Sequence, residues 1–273
     1  MKKKLTAIFL CVALVAIAIV GASLAYFTDT DEETNTFAVG NVKIELIEQQ
    51  RQADAEGNKT TELEKFEQNK KLYPIVGSAQ GDKDALGMPT AKNYVDKMVT
   101  IQNTGSEKAY IRAYFAIPSA LDDGYDSFNA GLNVLHFNFG NKVVDGNVTS
   151  TYGVEWNWKH GDNKWNYFET TLNDGIKYNV YYADYYQPVD ANATTKQLVS
   201  GVYLDKTFDI KDGKCYAFGE EVTLDDGWDW NNVSCPVFAI ACQAEGFDNA
   251  TAAMDAAFGA NYNPWGTEAT NWQ

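Results

Sequence analysis

Few residues in this chain have types and spacings that carry chemistry, and several common chemistries are excluded by what is missing. A zinc protease of the usual kind needs two histidines on one helical face with a glutamate base, His-Glu-x-x-His. The chain holds only His136 and His160, far apart and without that motif. His136 sits in Leu135-His136-Phe137, an extended stretch, and His160 in a turn. A serine nucleophile would show a Gly-x-Ser-x-Gly elbow, which is absent, and nothing places a histidine beside any cysteine. Carboxylates are too abundant for one pair to stand out as a glycosidase dyad. Asp122-Asp123-Gly124-Tyr125-Asp126 and Asp225-Asp226-Gly227-Trp228-Asp229 resemble loose calcium loops, yet lack the twelve-residue pattern and read as solvated turns. The expectation is a chain with no catalytic residue, no metal site and no cofactor. What remains is aromatic. Trp156 and Trp158 share a face and Trp165 returns after a turn, a set that can stack on sugar rings or pack a core.

The elements around these residues point to β-structure. Phe37 to Ile47 alternates, with Val42, Ile44 and Leu46 on one face and Asn41, Lys43 and Glu45 on the other. Gln49 to Lys71 is charged and Gln-rich, and is expected to be a loop or short surface helix. Asn93 to Asn103 and Ala109 to Pro118 are strands joined by so short a loop that a hairpin is expected. Strand-like runs follow near Leu132–Asn138, Tyr178–Tyr186, Gln197–Phe208, Cys215–Phe218 and Val222–Leu224. Cys235 to Ala244 is apolar on both faces, the pattern of a central buried strand. The period then changes. Asp248 or Asn249 can cap a helix over Ala250–Phe258 that Gly259 ends, leaving a polar tail after Asn261. The fold expected is mainly β: an antiparallel jelly-roll-type β-sandwich with a short C-terminal helix and surface loop or helix insertions.

The first residues are of another kind. Lys2, Lys3 and Lys4 precede an apolar run from Leu5 to Val20, and Ser23 and Ala25 supply small residues three and one before a cut that leaves Tyr26 first. This is the pattern of a secretory signal peptide over 1–25. An uncut anchor is the alternative, because Leu5 to Ala25 is about long enough to span a bilayer. Residues 26–36 then form an acidic, flexible tether whose tip is Tyr26, Phe27 and Thr28, and 37–273 read as one domain. Removing three lysines and no acid takes the net charge from −15 to −18. So acidic a surface argues against nucleic acid and anionic lipid as partners, and leaves the membrane only through an uncleaved signal segment. Cys215, Cys235 and Cys242 are an odd number for an exported chain. Cys215 and Cys235 could pair across adjacent strands, whereas Cys235 and Cys242 would face opposite sides of one strand.

Leu24-Ala25-Tyr26-Phe27-Thr28-Asp29, followed after a gap by Phe37-Ala38-Val39-Gly40-Asn41-Val42-Lys43-Ile44, resembles the start of the TasA/camelysin family. These are biofilm-matrix fibre proteins and relatives of Gram-positive bacteria, exported through a dedicated SipW-type signal peptidase. Val99-Thr100-Ile101-Gln102-Asn103-Thr104-Gly105-Ser106, continuing as Ala109-Tyr110-Ile111-Arg112, is similar to a hairpin of that family. Tyr181-Tyr182, Pro188, Thr194-Thr195 and Leu198 resemble its aromatic strand, polar turn and strand, and Ala241 to Phe247 its closing strand before the helix. The resemblance implies a jelly roll, a place at the cell surface or in the biofilm matrix, and SipW-type processing. In fibre-forming members it implies self-association, or association with related matrix subunits, by strand donation. The donated element here would be Tyr26, Phe27 and Thr28. Camelysin is described as a metalloprotease, a role for which the two histidines give no motif. A surface adhesion or carbohydrate-binding module, using Trp156, Trp158 and Trp165, is the alternative function.

Overall fold

The computed structural model describes Thr28–Thr30 and residues 41–123, 133–139, 142–144, 147–149, 155–159, 164–223 and 233–273. Its elements are β1 (Thr28–Thr30), β2 (Ile44–Ala53), β3 (Lys59–Lys65), β4 (Val95–Asn103), β5 (Ala109–Pro118), β6 (Leu135–Phe139), β7 (Lys142–Val144), β8 (Asn147–Thr149) and β9 (Trp156–Asn157). They continue with β10 (Tyr167–Thr171), β11 (Lys177–Tyr185), β12 (Val199–Leu204), β13 (Asp209–Lys211), β14 (Lys214–Ala217), β15 (Glu220–Glu221), β16 (Val237–Gln243), the helix α1 (Ala250–Phe258) and β17 (Ala269–Thr270).

Two antiparallel sheets dominate. One runs β1-β16-β5-β11-β10-β17, with β9 also on β11, and the other runs β3-β2-β4-β12-β6. The main strands alternate between sheets along the chain: β4 in the second, β5 in the first, β6 in the second, β11 in the first, β12 in the second, β16 in the first. That alternation gives a jelly-roll sandwich. Aromatic rings cross between the layers. Phe137 of β6 lies 4.8 Å from Phe115 of β5 and 6.3 Å from Tyr181 of β11.

The expected hairpin between β4 and β5 is corrected by this arrangement, because the two strands lie in different sheets and the loop between them is a corner. Asn103 holds it: its side-chain amide donates to the carbonyls of Glu107 and Val189, and its Oδ1 accepts from the Gly105 N–H. A Cβ at Gly105 would collide with the Asn41 carbonyl, so only glycine lets the corner close on the approach to β2. β5 is buried at all ten positions because both its faces are covered. Phe115 faces the second sheet, whereas Tyr114 faces outward under Trp265 and Tyr182.

The 49–71 stretch is also corrected. It forms a hairpin, β2 with β3, whose outer strand is exposed at nearly every position. Its charges defend a sheet edge rather than marking a loop. Inside it Arg51 is buried. Its guanidinium donates to both oxygens of Asp96 (2.8 and 2.7 Å), to Asp84 at 2.7 Å and to the Pro89 carbonyl. This ties residues 74–93 across the outer face of the second sheet, over a small cluster of Ile75, Ala79, Met88, Tyr94 and Met98.

The first sheet's outer face is closed by α1 and the C-terminal residues. Asn249 caps α1 by accepting from the Ala252 N–H, and Gly259 follows at φ 98°. Arg112 and Asp184 form a bidentate ion pair (2.6 and 3.0 Å) that Thr251 of α1 joins through its hydroxyl. The stretch after Asn261, expected to be a polar tail, pairs with β10 through β17 and lays Trp272 on Phe168 at 4.2 Å.

Candidate functional site

The N-terminal tip meets the domain at the edge of β16. Thr28, Asp29 and Thr30 pair antiparallel with Cys242, Ala241 and Ile240. These three β16 residues are buried, between β5 on one side and β1 on the other. Without β1, β16 would be the edge of the seven-stranded sheet and its outward N–H and C=O groups would lack a strand partner. The central position expected for Cys235–Ala244 is therefore supplied by a three-residue strand. Ser23, Ala25, Tyr26 and Phe27 lie outside the described residues, as does the 1–25 segment.

The aromatic set is placed elsewhere and differently from a binding face. Trp156, Trp158 and Trp165 are buried, at 3%, 4% and 8% exposure. Trp156 packs edge-on to Tyr185 at 5.0 Å and donates its indole N–H to the Lys196 carbonyl. Trp165 stands edge-on to Tyr181 at 5.8 Å, with Lys159 over its ring. A sugar ring needs an exposed aromatic plane, and these planes are occupied by the protein itself. The expected aromatic binding face is thus corrected to core packing.

The groups weighed for catalysis are scattered. His136 stacks on Tyr203 at 4.9 Å and sits 3.3 Å from Asp205, with burial lowering its pKa. His160 lies outside the described residues. Asp122 turns inward, accepting from the Tyr181 hydroxyl (2.7 Å) and the Asn179 amide (2.9 Å). Asp123 is exposed and donates its backbone N–H to Asn133 Oδ1 at 2.9 Å, while Gly124–Asp126 and Asp225–Asp229 lie outside the described residues. Among the described residues no group of three or more His, Cys, Asp or Glu is placed to hold a metal. Cys215, Cys235 and Cys242 are free thiols, which corrects the Cys215–Cys235 pairing. Burial pushes the Cys235 and Cys242 thiols up to about 12, away from thiolate chemistry.

The sequence reading missed a cleft of about 870 Å³ where the sandwich opens at one end. Its floor is the inward face of the second sheet: Leu46, Val95, Leu135, Val202 and Leu204. Pro236 and Val237, at the start of β16 in the first sheet, lie at its margin. Lys97 and Glu48 form an ion pair at 2.5 Å inside it, with the lysine over Phe66. Lys70 and Lys71 stand on the lining, and Tyr73 and Ile210 are exposed at 55% and 57%. The signal was present but dispersed, since the floor residues come from four strands up to about 160 positions apart in alternating patterns. No helix among the described residues is long and apolar enough to cross a membrane. The chain matches no protein-family model, no curated protein and no solved structure.

Proposed function

We propose that this is an exported, non-enzymatic structural protein of the bacterial cell surface or biofilm matrix. In this reading it self-assembles into fibres by donating its N-terminal strand to a neighbouring copy, or to a related matrix subunit. A SipW-type signal peptidase cutting after Ala25 would free the strand. The observation that carries the reading is the seat of β1. Three backbone pairs on β16 complete a seven-stranded sheet, and the strand that makes them begins two residues after the expected new N-terminus, Tyr26. Such a pairing is made by main-chain groups, so a strand from a second copy fits the same edge as the chain's own. It is also weak, since each main-chain hydrogen bond contributes about 1 kcal/mol net. An intramolecular strand held so lightly exchanges readily. The strongly acidic surface keeps unassembled chains apart and soluble.

Electron microscopy of purified protein tests this. Protein beginning at Tyr26 is expected to form filaments. The same protein carrying extra residues before Tyr26 is expected to form fewer, and protein beginning at Asn41 none. Monomers under all conditions from the Tyr26 form would refute the proposal.

A further inference from the structure

We infer that the cleft at the open end of the sandwich binds an elongated apolar molecule with an anionic end, of the long-chain aliphatic carboxylate class. This stands apart from the assembly proposal, because the cleft floor is a sheet face and β1 occupies a sheet edge. The volume, about 870 Å³, lies in the range of small-molecule sites, which are mostly apolar with a few placed polar groups. Leu46, Val95 and Val202 offer the apolar floor. In a sandwich such inward residues meet the opposite sheet, and here they also line the cleft beside Pro236 and Val237, where β16 begins.

The charge of the lining fixes the polarity of the ligand. The chain is strongly acidic, with 37 Asp and Glu against 22 Lys and Arg, yet among the described residues three lysines and one glutamate line this cleft. Glu48 neutralises Lys97 at 2.5 Å. Lys70 reaches Glu67 at 3.2 Å, but the glutamate is exposed and the pair is weak. Lys71 makes no ion pair among the described residues. Lys70 and Lys71 thus line, together with the apolar floor residues, a cleft of mixed polar and apolar surface, in a chain whose net charge otherwise repels anions. A carboxylate held at Lys70 and Lys71 with its chain laid along the floor satisfies both features. A sugar satisfies neither, and a cationic amphiphile would place its charge against the lysines.

The test is titration calorimetry of the chain beginning at Tyr26 with dodecanoate, below its micelle concentration, and with dodecanol. Saturable binding of one dodecanoate per chain is expected, with dodecanol bound more weakly. Lys70→Gln combined with Lys71→Gln is expected to weaken dodecanoate by about tenfold, within the range for two exposed charge pairs. Leu46→Trp, which fills the floor, is expected to abolish binding while circular dichroism stays unchanged. If Leu46→Trp unfolds the chain, the lysine variant and the dodecanol comparison decide alone. Three results would overturn the inference: no saturable binding, equal affinity for dodecanoate and dodecanol, or no effect of the lysine variant. Self-association that Leu46→Trp abolishes and dodecanoate fails to inhibit would also overturn it, assigning the cleft to a second copy.

Discussion

Replacing Arg112 by Met isolates the interaction that fastens α1 and the C-terminal residues to the first sheet. Arg112 and Asp184 are buried side chains, at 3% and 4% exposure, on adjacent strands β5 and β11. Their bidentate pair is flanked by Thr251, by Tyr182 under the guanidinium at 5.1 Å, and by Asp255 at 3.6 Å. Arg112→Met leaves the Asp184 carboxylate with the Thr251 hydroxyl as its remaining side-chain donor in a dry site. Removing one member of a buried pair costs about 3–5 kcal/mol, because the other charge stays buried and unpaired. Asp184→Leu costs somewhat less, about 3 kcal/mol, because the half-exposed Asp255 still faces the guanidinium. The double variant replaces the pair with apolar side chains of similar volume, a change that is often neutral or stabilising. The two singles therefore fail to add, with a coupling energy of about 3 kcal/mol or more. Urea unfolding followed by tryptophan fluorescence measures it, and in thermal scans Arg112→Met should lower the midpoint by roughly 6–20 °C and Asp184→Leu by roughly 6–12 °C. Singles costing under about 1 kcal/mol, or adding in the double, would refute the idea that this pair anchors the outer layer.

Two further outcomes follow from the other fixed points of the fold. Burial pushes the Asp96 carboxyl up, but hydrogen bonds and charge from Arg51 and Lys59 more than reverse this and leave its pKa below the ordinary value. Its contribution to stability is then complete above about pH 4 and is lost as pH falls through the depressed folded value. Asp96→Asn should flatten the acid limb of a stability-versus-pH curve in that window, and an unchanged limb would count against the network. Gly105→Ala forces a methyl into the Asn41 carbonyl and within 2.7 Å of the Lys43 nitrogen. It should cost about 3 kcal/mol in urea unfolding, the upper range for overpacking against unyielding backbone.

Local periodicity carried the strands and α1 well, because burial on one or two faces writes directly into the order of apolar residues. Asn249, Ala250–Phe258 and Gly259 form the capped helix that their types imply. Pairing was less legible. A short loop between two apolar strands looks the same whether it makes a hairpin or crosses between sheets. The distinguishing clue was β5 itself, apolar or aromatic at every position but Arg112, which marks a strand flanked and covered on both sides. Polar segments misled for a related reason. The β2–β3 hairpin is hydrophilic because its outer strand guards an edge, and Arg51 is buried only because Asp96 and Asp84 come from elsewhere in the chain. The tryptophans show the converse, since an aromatic cluster has the same signature in a core and on a binding face. Only the third dimension, with Tyr185 and Tyr181 against the rings, separates the two.

The proposed assembly then rests on an asymmetry within the first sheet. β5 and β11 are locked by seven register pairs, a buried ion pair and rings on both faces. β16 is as apolar as they are, but among the described residues its outer edge is met by Thr28, Asp29 and Thr30 alone. A sheet whose interior is rigid and whose last strand is lightly held presents the same edge to every copy of the chain. If that strand leaves, the hydrophobic faces stay covered by α1 and the opposite sheet, and only main-chain groups of Ile240, Ala241 and Cys242 are freed. Exchange with a neighbour is therefore close to isoenergetic per pair, so local concentration and the length of the tether decide which copy fills the seat.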